Sequence, residues 1–301
     1  MSRREEGLEA LCPAKVNLAL RVLGLRGDGY HEIRTVFQAI DLSDMLLVRP
    51  AGELSLSCDD PRVPEDASNL AMRAAFLLTE RFGVRAGAAM RLAKRIPAGG
   101  GMGGGSSDAA GALLALSETW GLGLEADDLA PLAARLGADV PFFLRGGTAL
   151  GEGRGERISP MPFAGPLRLL LGIPPFGIVT REAYGWADAH LTPSPKDVSV
   201  KRARGGKSSP ENDFHWGVND LEGGVFERWP ALLAFRDGLL RGGARMALLS
   251  GSGSTVFGVF DDSGTLRRAA ESLAAQFPGW RLLPARAVPD GARVVAAGGP
   301  V

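Results

Sequence analysis

Apolar and polar positions along the chain follow two periods, one near two and one near 3.6, and the switches between them predict a protein of mixed strands and helices. Leu8 to Leu23 is rich in apolar residues with partial alternation. Thr35 to Val48 repeats that texture after the turn Arg26-Gly27-Asp28-Gly29, so both segments predict strands. Leu70, Ala74, Leu77 and Leu78 follow helical spacing in a segment opened by Ser68-Asn69 and running to Phe82, with Gly83 as its stop. Arg85 to Leu92 returns to strand. A glycine run follows, then an apolar helix from Ala109 that ends near Gly121, and a short helix over Asp127 to Leu136 that Gly137-Ala138-Asp139-Val140-Pro141 breaks. Phe142 to Leu150 predicts another strand.

The second half opens after Gly151-Glu152-Gly153-Arg154-Gly155-Glu156 and Pro160. It holds a strand over Leu167 to Ile173, a helix over Thr180 to Ala189, and a polar segment with Pro and Gly from Leu191 to Gly217 that predicts a long loop. Asn219 to Leu240 predicts a helix interrupted by Pro230. Strands over Met246 to Ser250 and Val256 to Phe260 flank a second glycine loop, and Leu266 to Phe277 is a last helix. Strands and helices in each half predict an α+β fold, divided into units of residues 1–160 and 161–301.

The run Arg95-Ile96-Pro97-Ala98-Gly99-Gly100-Gly101-Met102-Gly103-Gly104-Gly105-Ser106-Ser107-Asp108 carries the strongest chemical signal. Glycines allow left-handed backbone and a close approach, so successive N–H groups can face anionic oxygens. The helix that follows would add its free N–H groups and the positive end of its dipole. The competing structural reading is a linker or an ordinary helix capped by Ser106, Ser107 or Asp108. Two other phosphate motifs fit poorly. Gly99-x-Gly101-x-x-Gly104 matches a dinucleotide fingerprint only because the run is mostly glycine, and no acidic residue stands out at the ribose-binding distance. Gly206-Lys207-Ser208 ends like a Walker loop, but Lys201 stands where its first glycine belongs.

Charge and composition narrow the partners. The 301-residue chain carries 34 basic and 34 acidic residues, so nothing in the balance predicts a nucleic-acid surface. Lys201-Arg202-Ala203-Arg204-Gly205-Gly206-Lys207 reads as a solvated loop. No apolar run approaches the ~20 residues of a membrane span. Cys12 and Cys58 make no metal-ligand spacing and fit a reducing, cytoplasmic setting, and the three histidines (His31, His190 and His215) stand at no zinc or Ser-His-Asp spacing. Lysine is scarce, which singles out Lys15 in Pro13-Ala14-Lys15-Val16-Asn17-Leu18, two residues from Asn17 on one strand face. Asp139 sits at a helix-to-strand turn where a carboxylate can be partly buried. A lysine, a carboxylate and a phosphate loop suffice for phosphoryl transfer to an alcohol.

Pro13 to Leu18, the glycine run and Leu249-Ser250-Gly251-Ser252-Gly253-Ser254 together resemble the GHMP small-molecule kinases. Arg26-Gly27-Asp28-Gly29-Tyr30-His31 and Gly137 to Phe143 look like the members whose substrate is a sugar alcohol carrying a cytidine diphosphate. The resemblance runs from about Leu11 to about Phe260. It implies an N-terminal S5-domain-2-like ATP-binding unit, a C-terminal ferredoxin-like unit and an active site in the cleft between them. It implies ATP and Mg²⁺ as cofactors, a small-molecule substrate, no nucleic-acid or membrane partner, and a monomer or weak homodimer. Asp139 would be the general base and Lys15 its partner at the reacting hydroxyl, with Asn17 on the substrate. Tyr30 and His31 would recognise the cytosine, with Tyr184 on its other face beside Thr180. Pro97, Gly99, Gly100, Gly101, Gly103, Gly104, Gly105, Ser106 and Ser107 would hold ATP, with Lys94 and Asn69 near its adenine, and Ser106 or Ser107 would reach metal or phosphate oxygens. The resemblance leaves the metal ligands unspecified. Met102 replaces the family's more usual leucine, a swap that conserves volume. A homoserine- or mevalonate-type kinase lacks a use for a base-binding pair, and a catalytically silent nucleotide binder lacks a use for Lys15 and Asp139.

Overall fold

The computed structural model describes residues 7–188 and 216–295. The readings for His190, His215, Lys196, Lys201, Lys207 and most of the Leu191 to Gly217 segment lie outside them. Two long strands begin the chain, β1 (Leu8–Leu25) and β2 (His31–Ala51), paired antiparallel so that Lys15 stands opposite Ala39 and Asn17 opposite Phe37. The turn between them closes through Arg26 N–H to Tyr30 O at 2.7 Å, as the Arg-Gly-Asp-Gly sequence predicts. Alternation sends Ala14, Val16 and Leu18 to one face of β1, and Lys15 and Asn17 to the other.

The first sheet adds β3 (Ser55–Cys58), β4 (Gly87–Ala93), β5 (Thr148–Gly153) and β6 (Arg157–Pro160). Its order is β11-β1-β2-β4-β3, with β5 and β6 continuing from the other half of β2. The last strand, β11 (Arg293–Val295), returns to pair with residues 9–11 of β1, so the first sheet draws on both ends of the described chain. Helices α1 (Leu70–Phe82), α2 (Gly104–Thr119), α3 (Ala126–Leu136) and α4 (Val140–Arg145) pack on this sheet, and Leu78, Leu92, Leu113, Leu116, Phe142 and Phe143 form the centre of that core.

The second sheet holds β7 (Arg168–Ile173), β8 (Met246–Leu249), β9 (Val256–Phe260) and β10 (Arg281–Arg286) in the antiparallel order β10-β7-β9-β8. With α5 (Thr180–Asp188), α6 (Glu222–Arg228) and α7 (Pro230–Arg241) between its first two strands and α8 (Ser263–Gln276) before its last, this is the βαββαβ order of a ferredoxin-like unit. Phe235 anchors the helical side against Phe277 and Trp280. A separate core joins the two sheets, where Ala14, Val16, Leu18, Val36 and Ile40 meet Leu169, Leu171, Phe257 and Val259. Met102 is buried in this shared core, which ties the first glycine loop to both units.

Three local expectations change. Phe142 to Arg145 is helical, where a strand was expected through Leu150; Pro141 preorganises the first turn and Gly146 and Gly147 end it with φ of 71° and 65°. A short, fully buried apolar run has no polar face, so its periodicity cannot separate strand from helix. Helix α2 starts at Gly104, five residues before Ala109, which places Ser106, Ser107 and Asp108 inside it. Strands β3, β10 and β11 are short or partly exposed and leave little pattern to read.

Candidate active site

Lys15 is 4% exposed on a strand, an expensive place for an ammonium unless its donors are used. Its Nζ donates to Asn17 Oδ1 at 2.6 Å and lies 3.7 Å from Asp139 Oδ2. Asn17 passes the chain on, Nδ2 to Thr35 Oγ1 at 2.7 Å, and Thr35 donates to Ala19 O. Burial pushes the Lys15 amine below its ordinary value, and the neighbouring Asp139 carboxylate opposes that shift. Asp139 stands at the N-cap of α4 without capping it through its side chain, and that side chain is 31% exposed. A partly exposed carboxylate that caps no helix through its side chain and pairs with a buried lysine can accept a hydroxyl proton.

The two glycine loops interlock beside this pair. Ser250 Oγ donates to Gly101 O at 3.0 Å, and Thr255 N–H donates to Gly100 O at 3.2 Å. Gly101 has φ +73°, and a Cβ there would fall 2.2 Å from Ser250 O and 2.7 Å from Gly253 O. Gly103, φ +71°, is the N-cap of α2 and offers no side-chain cap, so the first amides of the helix keep their donors for a ligand. Lys15 N–H donates to Met102 O at 3.0 Å, which fixes the loop to β1. Pro97, Gly99, Gly100, Gly101, Gly103, Gly104, Gly105, Ser106 and Ser107 lie along this one continuous stretch of loop and helix start. Ser107 Oγ is buried in it without a hydrogen-bond partner.

His31 and Tyr184 form a second group. His31 and Tyr184 stack with centroids 4.9 Å apart, and His31 Nε2 lies 2.8 Å from Asp188 Oδ1. Burial and the charge of Asp139 push the Tyr184 phenol up, which places α5 close to the carboxylate. Tyr30 is exposed and lies under the Arg154 guanidinium, 4.8 Å from ring centroid to Cζ. Thr180, at the start of α5, bonds Ser252 Oγ at 3.0 Å, linking the aromatic helix to the second glycine loop.

Two expected nucleotide residues are engaged in the scaffold. Asn69 caps α1, its Oδ1 accepting from Ala71 N–H at 2.8 Å and its Nδ2 donating to Pro64 O at 2.7 Å. Lys94 is buried between Asp44 and Asp108, with Asp108 Oδ2 at 2.6 Å. Asp44 also accepts from Arg95 and Ile96 N–H, so this ion triad holds the entry of the glycine loop. Burial raises the Asp108 carboxyl although Lys94 pulls it down.

Sequence reasoning missed Arg154, Thr35, Asp44, Asn219 and Glu222. The repeated glycines around Arg154 were the only local signal; the others act through partners many residues away. Sequence similarity agrees with this geometry. A family model for the GHMP kinases N-terminal domain matches residues 69–147, and one for the GHMP kinases C-terminal domain matches residues 208–279. A 4-diphosphocytidyl-2-C-methyl-D-erythritol kinase of Pelotomaculum thermopropionicum is 44% identical over 266 residues, 87% of this chain and 92% of that protein. The chain belongs to the GHMP kinase family. A second relative of the same name, from Syntrophotalea carbinolica, is 39% identical and is matched over 93% of this chain and 99% of its own. The crystal structure of a 4-(cytidine 5'-diphospho)-2C-methyl-D-erythritol kinase superposes with a TM-score of 0.74 at 38% identity, covering 93% of this chain and 98% of that one. A homoserine kinase from Cytophaga hutchinsonii reaches the same TM-score at 20% identity, which shows the shared fold. This GHMP kinase is an ATP-dependent small-molecule phosphotransferase. Among the described residues, no helix is long and apolar enough to cross a membrane.

One buried acid gives this GHMP kinase a pH-dependent stability. Glu222 accepts Leu249 N–H at 2.8 Å with Arg236 Nη1 3.5 Å away, and burial raises its carboxyl from 4.5 to about 7. The folded state then holds the proton more tightly than the unfolded chain. The contribution is full below pH 4.5 and is lost as pH rises through about 7. Thermal denaturation across that window should show the wild type losing stability with rising pH relative to Glu222→Gln. Parallel curves would rule out Glu222 as the source.

Proposed function

We propose that the chain transfers the γ-phosphoryl group of ATP to the 2-hydroxyl of 4-diphosphocytidyl-2-C-methyl-D-erythritol, releasing ADP, in the non-mevalonate route to isoprenoid precursors. The observation that supports this reading is the stacked pair of His31 and Tyr184 in the same fold as the buried ion pair of Lys15 and Asp139, whose charge reaches the Tyr184 phenol. A substrate with a nucleobase at one end and an alcohol at the other would use both groups, and a small acid alcohol leaves the aromatic pair unused.

In this reading Asp139 accepts the proton of the 2-hydroxyl as its oxygen attacks the phosphorus. Lys15, held by Asn17, stabilises the negative charge that develops on the transferring group. The N–H groups of the glycine cradle and the start of α2 hold the ATP phosphates in line. Tyr30 and Tyr184 take the cytosine between them, and His31, set by Asp188, hydrogen-bonds its edge. Arg154, whose guanidinium lies over the Tyr30 ring, is the cation beside that aromatic and would take the charge of the substrate diphosphate.

Mg²⁺ belongs to the same proposal. Among the described residues no three His, Cys, Asp or Glu side chains cluster as a metal cage. In this reading the ion is held mostly by phosphates and water. Ser107 Oγ and Asp108 Oδ1, both buried and unpaired at the start of α2, are side-chain oxygens that could reach it. When bound, the ion would neutralise charge on the phosphates.

ADP release by the purified protein with ATP and Mg²⁺ tests the reading, comparing the cytidyl substrate with its decytidylated alcohol, homoserine and mevalonate. Turnover confined to the cytidyl substrate supports it; turnover only with another alcohol rejects the base site. Tyr184→Ala should weaken binding of the cytidyl substrate by about 1–3 kcal/mol, read as its Kd, with ATP affinity unchanged. Equal affinities in mutant and wild type would remove the stacking role.

A further inference from the structure

We infer that Asn219 is a positioning residue for phosphoryl transfer, a clasp that sets the second glycine loop at a fixed distance from the catalytic lysine. The inference rests on the function proposed above. Residues 217–220 run along β1 just beyond Lys15 and Asn17. Gly217 N–H donates to Leu18 O, Leu20 N–H to Val218 O and Asp220 N–H to Leu20 O, at 2.8–3.0 Å. Asp220 adds side-chain bonds to Val22 N–H and Arg21. This segment is therefore registered against the catalytic strand.

From that strand-bound segment the Asn219 side chain reaches the other unit. It is 4% exposed, and its Nδ2 donates to both Leu249 O at 2.9 Å and Gly251 O at 2.8 Å, while its Oδ1 accepts from Leu221 N–H. Every hydrogen-bonding position of the amide that these contacts use is met by backbone. Gly251 is the residue that faces Lys15 and its partner Asn17: a Cβ there would lie 3.1 Å from Lys15 Nζ and 3.3 Å from Asn17 Oδ1. The loop it belongs to also holds Gly101 through Ser250 and Thr180 through Ser252. Asn219 thus fixes, from β1, a loop that touches the lysine, the phosphate cradle and the aromatic helix. A displacement of about 1 Å at such a site costs on the order of 100-fold in rate.

Asn219→Asp keeps the size and the acceptor to Leu221 but sets a carboxylate oxygen against two carbonyls. Asn219→Ser keeps one donor at shorter reach and serves where the Asp variant does not fold. Steady-state kinetics with ATP and the cytidyl substrate should show kcat falling roughly 10- to 100-fold, with both KM values within about twofold. Hydrogen exchange at the amides of Ser250, Gly253 and Thr255 should quicken, with exchange in the middle of α2 unchanged. Unchanged kcat with unchanged exchange overturns the inference. So does a loss of kcat that tracks a rise in both KM values and faster exchange throughout the chain, which is what a purely structural role would give. If the wild type does not phosphorylate the cytidyl substrate, the proposed function fails separately, and exchange in the loop alone decides whether the clasp exists.

Discussion

Asn in place of Asp139 lowers kcat by roughly 10²–10⁴-fold while nucleotide affinity stays within about twofold. The substitution preserves the shape of the side chain and removes its ability to take a proton. The helix cap is untouched, because Asp139 caps α4 by position without a side-chain bond, but the buried Lys15 ammonium loses its opposing charge, so Tm should also fall. A second consequence separates this account from a merely polar role. Asp139 is the group that opposes the burial-driven fall of the Lys15 pKa, so its neutralisation leaves the amine easier to deprotonate. The residual activity of the variant should therefore decline at lower pH than the wild type's does at the alkaline end of the profile. Stopped-flow measurement of the chemical step with the cytidyl substrate, across pH, tests both statements. Turnover within a few-fold of wild type removes Asp139 as the base.

Gly101→Ala abolishes measurable ATP binding and lowers Tm. The methyl group would sit 2.2 Å from Ser250 O at a backbone φ of +73°, so the loops must separate or the backbone must leave the left-handed region. The conformational cost alone is about 1–2 kcal/mol, and overpacking adds about 1–3 kcal/mol. Separation also releases the bonds from Ser250 to Gly101 and from Thr255 to Gly100. Calorimetric titration with ATP and a thermal melt check the prediction, with Gly52→Ala as the control, since nothing lies within 4 Å of a Cβ there. Wild-type affinity in Gly101→Ala would show that the interlock is dispensable for the nucleotide.

Much of the fold was legible because the signals were local. The strand texture of Leu8 to Leu23, the 3.6-residue period from Leu70 with its Gly83 stop, and the glycine run each depend on neighbours within a turn or a strand. The start of α2 was misplaced because Ser106, Ser107 and Asp108 have the chemistry of caps, whereas a site that binds phosphate gains by leaving its first amides uncapped at Gly103. Lys94 and Asn69 illustrate the limit at the site. Their residue types suit a nucleotide, yet a helix cap and a buried ion triad use the same polar atoms, and only the partners distinguish these roles.

Residue type and spacing along the chain were enough to predict the kind of chemistry: a phosphate cradle, a lone lysine with an asparagine two residues on, a carboxylate at a turn and two tyrosines. These rest on backbone freedom, strand alternation and side-chain charge, all of which act over a few residues. The distances were settled only when the chain folded. Lys15 and Asp139 are 3.7 Å apart although far separated in sequence, Gly101 meets Ser250, and Asn219 spans from β1 to Gly251 because the shared core of Val16, Leu18, Leu169 and Phe257 presses the two sheets together. Burial in that packed interior lowers the lysine's pKa and makes a glycine's missing methyl decisive. No pattern along the sequence carries those quantities, since each depends on atoms contributed by both units.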